Sequence, residues 1–169
     1  MAKTEFDISL IGKQSPPAGP FGDAINLTPI SIKKRLQEGN STDEVAAHVG
    51  KDEISDVLAA SATIRVDLTT DLDRYGVALA ATDVVFLFLI HKTGSASSSI
   101  HAQPAAVEGW TSFMGAGTVL TLKPGDFVCL GSFTAANQPV VAGVTDAVEI
   151  VNDDGSNAAN YELAIGVRR

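Results

Sequence analysis

The sequence predicts a mainly β protein with a small α part: an antiparallel β-sandwich or jelly roll preceded by an extended N-terminal arm and a short three-helix segment. Residues 83–91 hold an unbroken apolar run, closed at its ends by Asp83 and His91 and rich in β-branched and aromatic side chains, which is typical of a buried strand. Short apolar stretches follow it, separated by Gly, Pro, Asn and Asp, as in an antiparallel sandwich. Only 19% of the residues are charged, so we expect much of the surface to be neutral or covered by protein.

The apolar run at 83–91 is predicted to be the central strand. Its alternation assigns the side chains to two faces, with Val84, Phe86, Phe88 and Ile90 on one and Val85, Leu87 and Leu89 on the other. Because both faces are apolar, the strand needs cover on both. We expect one cover to be a facing sheet built from strands after Trp110. The other is either the predicted helices or a neighbouring subunit.

Residues 1–30 are predicted to form an extended arm. The alternation at 6–11 favours a strand, whereas the Pro- and Gly-rich stretch 12–22 excludes regular structure. The arm either reaches onto a neighbouring subunit or is a floppy terminus. If it binds a neighbour, we expect these apolar side chains to form the interface: Phe6, Ile8, Leu10, Phe21, Ile25 and Leu27.

Residues 31–61 are predicted to be a small helical segment. A first helix at 30–38 ends at Gly39, a second ends at Gly50, and a third covers 51–60. Its function is expected to be that of a helical cap or docking element.

Within this segment, residues 36–57 resemble a helix-turn-helix unit, with a small residue at Ala46 and Gly50 in the turn. The resemblance implies DNA binding, but the third helix carries three acidic residues and one basic residue. Recognition helices need Arg, Lys, Asn or Gln directed at the bases, so we expect no DNA binding here.

Residues 62–169 are predicted to form the β-sandwich domain. The stretch 64–68 alternates cleanly, and further strands are predicted at 110–114, 118–122, 126–130, 139–142, 147–151 and 161–167. Between two of them, Pro124 and Gly125 favour a tight turn, because Pro presets the first corner and Gly tolerates the second.

Several residues are candidates for chemistry, beginning with the histidines. His91 and His101 flank a serine-rich loop and would need a third ligand, for which Glu108 is the candidate, to hold a metal ion. The turn at 124–126 resembles that of cupins, but the H-x-H metal ligands of that family are absent. His91 and His101 are therefore interpreted as surface residues near a strand end, and we predict no metal site.

Other polar and aromatic groups also favour structural interpretations. Cys129 lies in an apolar strand and is interpreted as a buried structural thiol. The loop 152–157 is rich in oxygen donors, but a hairpin turn is favoured over a calcium site. Trp110, Phe113 and Tyr75 are interpreted as core or interface side chains and not as a sugar-binding platform. We predict no catalytic residue, no cofactor and no enzymatic activity.

The charge balance points to protein partners. The net charge is −8, which disfavours nucleic acid and anionic membranes as partners. Between residues 76 and 167 there are two basic and eight acidic residues. A freestanding domain usually shows more charges of mixed sign, so part of this surface is expected to be covered by protein.

The arm, the charge-poor Ala/Gly/Ser/Thr-rich sandwich and the acidic balance together resemble the decoration (cement) proteins of tailed-bacteriophage heads. This resemblance implies a structural virion protein, made in the host cytoplasm, that forms a homo-oligomer, with a trimer favoured, and binds the major capsid protein or another virion subunit. The alternatives are a tail-tube or fibre subunit, a helix-turn-helix regulator or adaptor, and a carbohydrate-binding or cupin-like domain.

Overall fold

The computed structural model describes residues 3–10, 30–37, 56–72, 78–93, 98–132, 134 and 136–169 of the chain. This part contains strands and no helix. The strands are β1 (Lys3–Leu10), β2 (Ile30–Gln37), β3 (Asp56–Leu58), β4 (Thr63–Asp67), β5 (Asp83–Thr93), β6 (Ile100–Pro104), β7 (Leu120–Leu122), β8 (Phe127–Gly131), β9 (Ala147–Asn152) and β10 (Ala159–Arg168).

The strands described between residues 56 and 169 form two four-stranded antiparallel sheets. The first sheet has the order β3-β10-β5-β8 and the second has the order β4-β9-β6-β7. Side chains from both sheets belong to one buried cluster, including Leu87 and Ile165 from the first sheet and Val66 and Ile150 from the second. The prediction of a β-rich antiparallel fold is confirmed at this level.

The central position of β5 is confirmed, because it lies between β10 and β8 in the first sheet. The prediction of its facing sheet is corrected. Two of the strands after Trp110, β8 and β10, pair with β5 itself, and the facing sheet consists of β4, β6, β7 and β9. After β3 each successive strand lies in the other sheet, except that β6 and β7 are neighbours in the second sheet, so position in the sequence does not separate the layers.

Two predicted strands are loops. Trp110 is fully buried after a tight turn, where its main-chain N–H donates to Ala147 O (2.8 Å) and its Nε1 donates to Pro139 O (3.0 Å). The indole and these two bonds fix 110–114 as a core-covering loop. Residues 139–142 make only isolated bridges, at Pro139 and Val141.

Strand β6 was not predicted. Its sequence Ile-His-Ala-Gln-Pro alternates, and Ile100 and Ala102 are buried against the core. Only these two apolar residues mark the strand, and one of them is the small alanine. The apolar pattern is therefore too short to distinguish a strand from the end of the preceding serine-rich loop.

The predicted helical segment overlaps two strands. Residues 30–37 form β2, which pairs antiparallel with β1 so that Ile30 lies opposite Leu10 and Ile32 opposite Ile8. Ile30, Ile32 and Leu36 also fit a period of two, and the spacing alone did not distinguish strand from helix. Residues 56–58 form β3 at the edge of the first sheet. Residues 38–55 lie outside the described residues, so the segment as a whole stays a prediction.

Polar contacts fix the ends of the strands. Asn152 Nδ2 donates to Leu58 O (3.1 Å) and Ala59 O (3.0 Å), which holds β3 against the end of β9. At the opposite end of the first sheet, the buried Arg168 forms an ion pair with the buried Asp83, whose Oδ1 also accepts from Gln138 N (2.7 Å).

The predicted turn between β7 and β8 is confirmed. Gly125 has a φ of 91°, and Asp126 N donates to Lys123 O at 2.8 Å. Positive φ at the second corner is the conformation that favours glycine.

Candidate protein–protein interface

A β-bulge in β5 decides which side chains face outward. The register with β10 shifts between Gly166 and Val167, so that Gly166 lies opposite Phe86 and Val167 opposite Val84. The extra residue, Val85, changes the alternation. Val84 therefore joins Leu87 and Leu89 in the core cluster, which corrects the predicted grouping of Val84 with the phenylalanines.

The outer face of the first sheet follows from this register. In the middle of the sheet, Phe88 lies between Ala164 of β10 and Cys129 of β8. One step along, Ile90 lies between Glu162 and Phe127. We call the following set the apolar outer face: Phe86, Phe88, Ile90, Phe127, Cys129, Gly131, Ala164 and Gly166.

Glycine and aromatic side chains are matched on this face. A Cβ added to Gly166 would collide with the Phe86 ring, which shows that the ring lies directly over the glycine. The two outer rings further along, Phe88 and Phe127, have centroids 6.3 Å apart at an interplanar angle of 37°. Phe86 is buried, whereas Phe127 is 62% exposed.

The apolar outer face has one charged border. Lys92 and Glu162 form an ion pair where the His91 end of β5 meets β10. Within the face, Phe88, Ile90 and Ala164 are half-buried and Cys129 is exposed. Antiparallel sheets with one solvated face usually carry polar side chains there, so this face departs from the common pattern.

The outer face of the second sheet follows the common pattern. Gln103 of β6 donates to Glu149 of β9 at 3.1 Å, and Arg65 of β4 donates to Glu108 at 2.6 Å. The hydrogen bond with Glu108 raises the pKa of Arg65 above its ordinary value. We call this surface, built mainly of Thr63, Arg65, His101, Gln103, Thr121 and Glu149, the polar outer face.

The structure does not bring the two described histidines together. His91 points into the core and is fully buried, with Nδ1 3.2 Å from Leu122 O. This corrects its interpretation as a surface residue. His101 lies on the polar outer face, where its Nδ1 is 2.8 Å from Asp153 Oδ1. Glu108 contacts Arg65 and neither histidine.

Cys129 and Trp110 differ in exposure. Cys129 is exposed at the edge of the first sheet, which corrects its interpretation as a buried thiol, although partial burial still raises its pKa. Trp110 is fully buried and packs edge-on against Phe113, with ring centroids 5.1 Å apart. Of the two predicted roles for Trp110, core or interface, the structure shows the core, and Tyr75 lies outside the described residues.

The loop 152–157 uses its oxygens within the turn. Asp154 Oδ1 accepts from Ser156 N (2.9 Å) and Asn157 N (3.0 Å), and Asn152 Oδ1 accepts from Asp154 N (3.0 Å). These contacts are those of an Asx-type turn. Across the described ranges, no group of three His, Cys, Asp or Glu side chains is placed to hold a metal ion.

The predicted interface residues are divided by the structure. Phe6, Ile8 and Leu10 lie in β1, paired with β2. Phe21, Ile25 and Leu27 lie outside the described residues, and the role of all six stays a prediction. Sequence reasoning missed the outward position of Phe127 and Cys129. The signal was available, because the strand at 127–131 contains no charge and places both residues at the same alternate positions as Gly131.

Comparison of the chain with protein-family models, with curated proteins and with solved structures finds no match. Within the part of the chain that the structure describes, no helix is long and apolar enough to cross a membrane.

Proposed function

We propose that the chain is a structural subunit that works through protein–protein contacts, and specifically a decoration (cement) protein of a tailed-phage head. The observation that carries the proposal is the apolar outer face. A sheet that already buries a complete core on its inner side gains nothing from the outward apolar side chains of Phe88, Ile90 and Phe127, which are half-buried or exposed, unless a partner covers them.

Protein interfaces of this kind have an apolar centre and a polar rim. The apolar outer face has such a centre at Phe88 and a charged border at the Lys92–Glu162 ion pair. The low share of charged residues, 19%, reduces the cost of removing this surface from water. These features favour a binding surface over a catalytic cleft.

The finer assignments belong to the same proposal. The two sheets around one core form a β-sandwich of jelly-roll type, and the subunit forms a homo-oligomer, for which the resemblance favours a trimer. Its partner is the major capsid protein or another virion subunit, and its location is the virion. Attachment at many lattice positions adds the energies of individually weak contacts.

Two measurements test this function. Sedimentation velocity on the full chain is expected to show an oligomer that Ala164→Glu dissociates. The substitution places a carboxylate in the middle of the apolar outer face, and burying a charge that has no ion-pair partner is costly. The matched control is Thr121→Glu, on the polar outer face, which is expected to leave the oligomer intact. Thermal unfolding followed by circular dichroism verifies that both variants fold. A monodisperse monomer at high concentration contradicts the proposal.

The second measurement addresses the virion. Mass spectrometry of purified phage particles is expected to find the protein at a stoichiometry comparable to that of a capsid component. Detection only in the soluble lysate, with none in the particles, contradicts the virion assignment while leaving a structural role in the cell.

A further inference from the structure

The edge strand β8 differs from the other edges of the two sheets. Edge strands expose unpaired backbone groups, and proteins normally protect them with charge, brevity, Pro or bulges. The edge strand β4 carries Arg65 and Asp67, β3 has three residues and includes Asp56, and β7 has only three residues. The five-residue strand β8 contains Phe, Val, Cys, Leu and Gly and has none of these protections.

The backbone of β8 shows which groups are free to pair. His91 N donates to Asp126 O (3.0 Å), and Ser132 N donates to Val85 O (2.8 Å), so the even-numbered residues 126 and 132 direct their backbone groups at β5. Hydrogen-bonding direction alternates along a strand. The N–H and C=O groups of Phe127, Cys129 and Gly131 therefore point away from the sheet. Among the described residues, no backbone hydrogen bond from another segment reaches them.

We infer that β8 is a two-fold docking edge, and that its partner is β8 of a second copy of this chain. The two strands pair antiparallel about Cys129, so that Phe127 of one copy lies opposite Gly131 of the other and the two Cys129 residues face each other. Every outward-pointing residue then meets an outward-pointing residue. The register forms about six backbone hydrogen bonds, two for each of three pairs.

The side chains fit this register as well as the backbone does. A two-fold axis perpendicular to the sheet keeps Phe127, Cys129 and Gly131 on the same side in both copies. Each Phe127 then has a glycine opposite it, the arrangement that Phe86 and Gly166 already make within the sheet. Phe127 is 62% exposed in the single chain and gains cover from the pairing.

The absence of charged residues in β8 favours this edge for contact between identical chains. Each copy has a net charge of −8, so two copies repel each other over most of their surfaces. The contact strands carry no charge, and in this register Asp126 of one copy lies opposite Ser132 of the other. No like charges are brought together. Edge pairing therefore costs less electrostatically here than at β4, where the same two-fold pairing about the middle of the strand would place the two Arg65 side chains opposite each other.

The pairing would join two four-stranded sheets into one eight-stranded sheet with a continuous apolar outer face. This inference rests on the proposed assembly role and deepens it, because it doubles the surface offered to a partner lattice. A trimer closed by another surface would be linked to a second trimer through this contact.

The test uses Cys129, the only cysteine of the chain. In a hydrogen-bonded antiparallel pair the Cα atoms are about 5.5 Å apart, within the range that a disulfide spans. Oxidation of the full chain with copper–phenanthroline and oxygen, which takes two electrons and two protons from the two thiols, is expected to give a disulfide-linked dimer. The matched control places Val57→Cys in a Cys129→Ser background. Val57 is also exposed, on the opposite edge of the same sheet, and it is expected to cross-link far more slowly.

A second variant keeps the inference testable without the cysteine. Phe127→Lys is expected to weaken two-fold association about tenfold or more in sedimentation equilibrium, whereas Val57→Lys, with the same change of charge, leaves it unchanged. Cross-linking no faster at Cys129 than at the Val57→Cys control overturns the inference. So does a Cys129 that resists both oxidation and maleimide, since a segment of the same chain then covers β8. If an oligomer persists after either of these two results, the proposed function stands without the β8 contact. If no oligomer is found at all, both the proposed function and the β8 contact are contradicted.

Discussion

The two outer faces of the molecule both belong to four-stranded antiparallel sheets, yet they differ in chemistry. On the second sheet, Gln103 and Glu149 pair across neighbouring strands, and Arg65 pairs with Glu108. On the first sheet, the corresponding central positions are Phe88 and Ala164. The inner faces of both sheets are alike, because both contribute to one core. The shared core does not account for this difference, which supports the proposal that the first sheet meets a partner.

The largest effect is expected from the buried ion pair of the first sheet, which contrasts with the exposed ion pair of the second sheet. Asp83→Asn removes one partner of the buried Arg168, and breaking a buried pair in this way costs roughly 3–5 kcal/mol. Urea unfolding measures this loss. Arg65→Gln, which removes the exposed pair on the polar outer face, is the matched control. It is expected to leave the free energy of unfolding unchanged within error. Equal losses in the two variants would contradict the burial argument.

The two sides of β5 provide the next test. Leu87 is fully buried in the core, and Leu87→Ala is expected to cost about 2–5 kcal/mol of unfolding free energy. Phe88→Ala, one residue away on the apolar outer face, is expected to cost less than Leu87→Ala in dilute protein, because the ring is half-buried. Self-association measured by sedimentation is expected to respond in the opposite order. If Phe88→Ala destabilises the dilute protein as strongly as Leu87→Ala, the outer face is part of the fold and the comparison fails.

Period-two alternation predicted the β-rich class and the central strand from the sequence. The bulge at Val85 was beyond such reasoning, because one extra residue transfers Val84 from one face to the other without changing the local composition. The burial of His91 was missed for a related reason. A histidine after an apolar run looks like a strand end, whereas β5 continues to Thr93.

The candidate interface was only half predictable. The sequence indicated that the strand at 83–91 needs cover on both faces, and in the described part of the chain the core cluster lies on one of them. Which neighbours complete the other face depends on pairing between β5, β8 and β10, which are more than 30 residues apart in places. Local patterns carry no information on such pairings.

A smaller effect is expected from the glycine–aromatic pair on the apolar outer face. Gly166→Ala forces the Phe86 ring away from β10, and overpacking of this kind costs typically about 1–3 kcal/mol. The loss is expected to shrink in a Phe86→Ala background, because the clash is then absent. A double-mutant cycle by urea unfolding measures the coupling between the two positions. Additive effects would show that the ring does not rest on the glycine.

The smallest effect concerns Asp67, at the end of β4 in the second sheet. Burial alone would raise its pKa, but hydrogen bonds from Thr70 N (2.9 Å), Thr69 Oγ1 (2.8 Å) and Thr69 N (2.8 Å) outweigh burial and hold the pKa below its ordinary value. Because the pKa is lower in the folded than in the unfolded chain, the carboxylate stabilises the fold above the unfolded pKa of about 3.9, and this stabilisation is lost as the pH falls through the folded value. Asp67→Asn is expected to lower the stability near neutral pH by less than about 1 kcal/mol, given the partial exposure of the group. Unfolding measured between neutral pH and pH 3 should then depend less on pH in Asp67→Asn than in the parent chain, and an unchanged pH dependence would show that the three hydrogen bonds do not favour the ionised form.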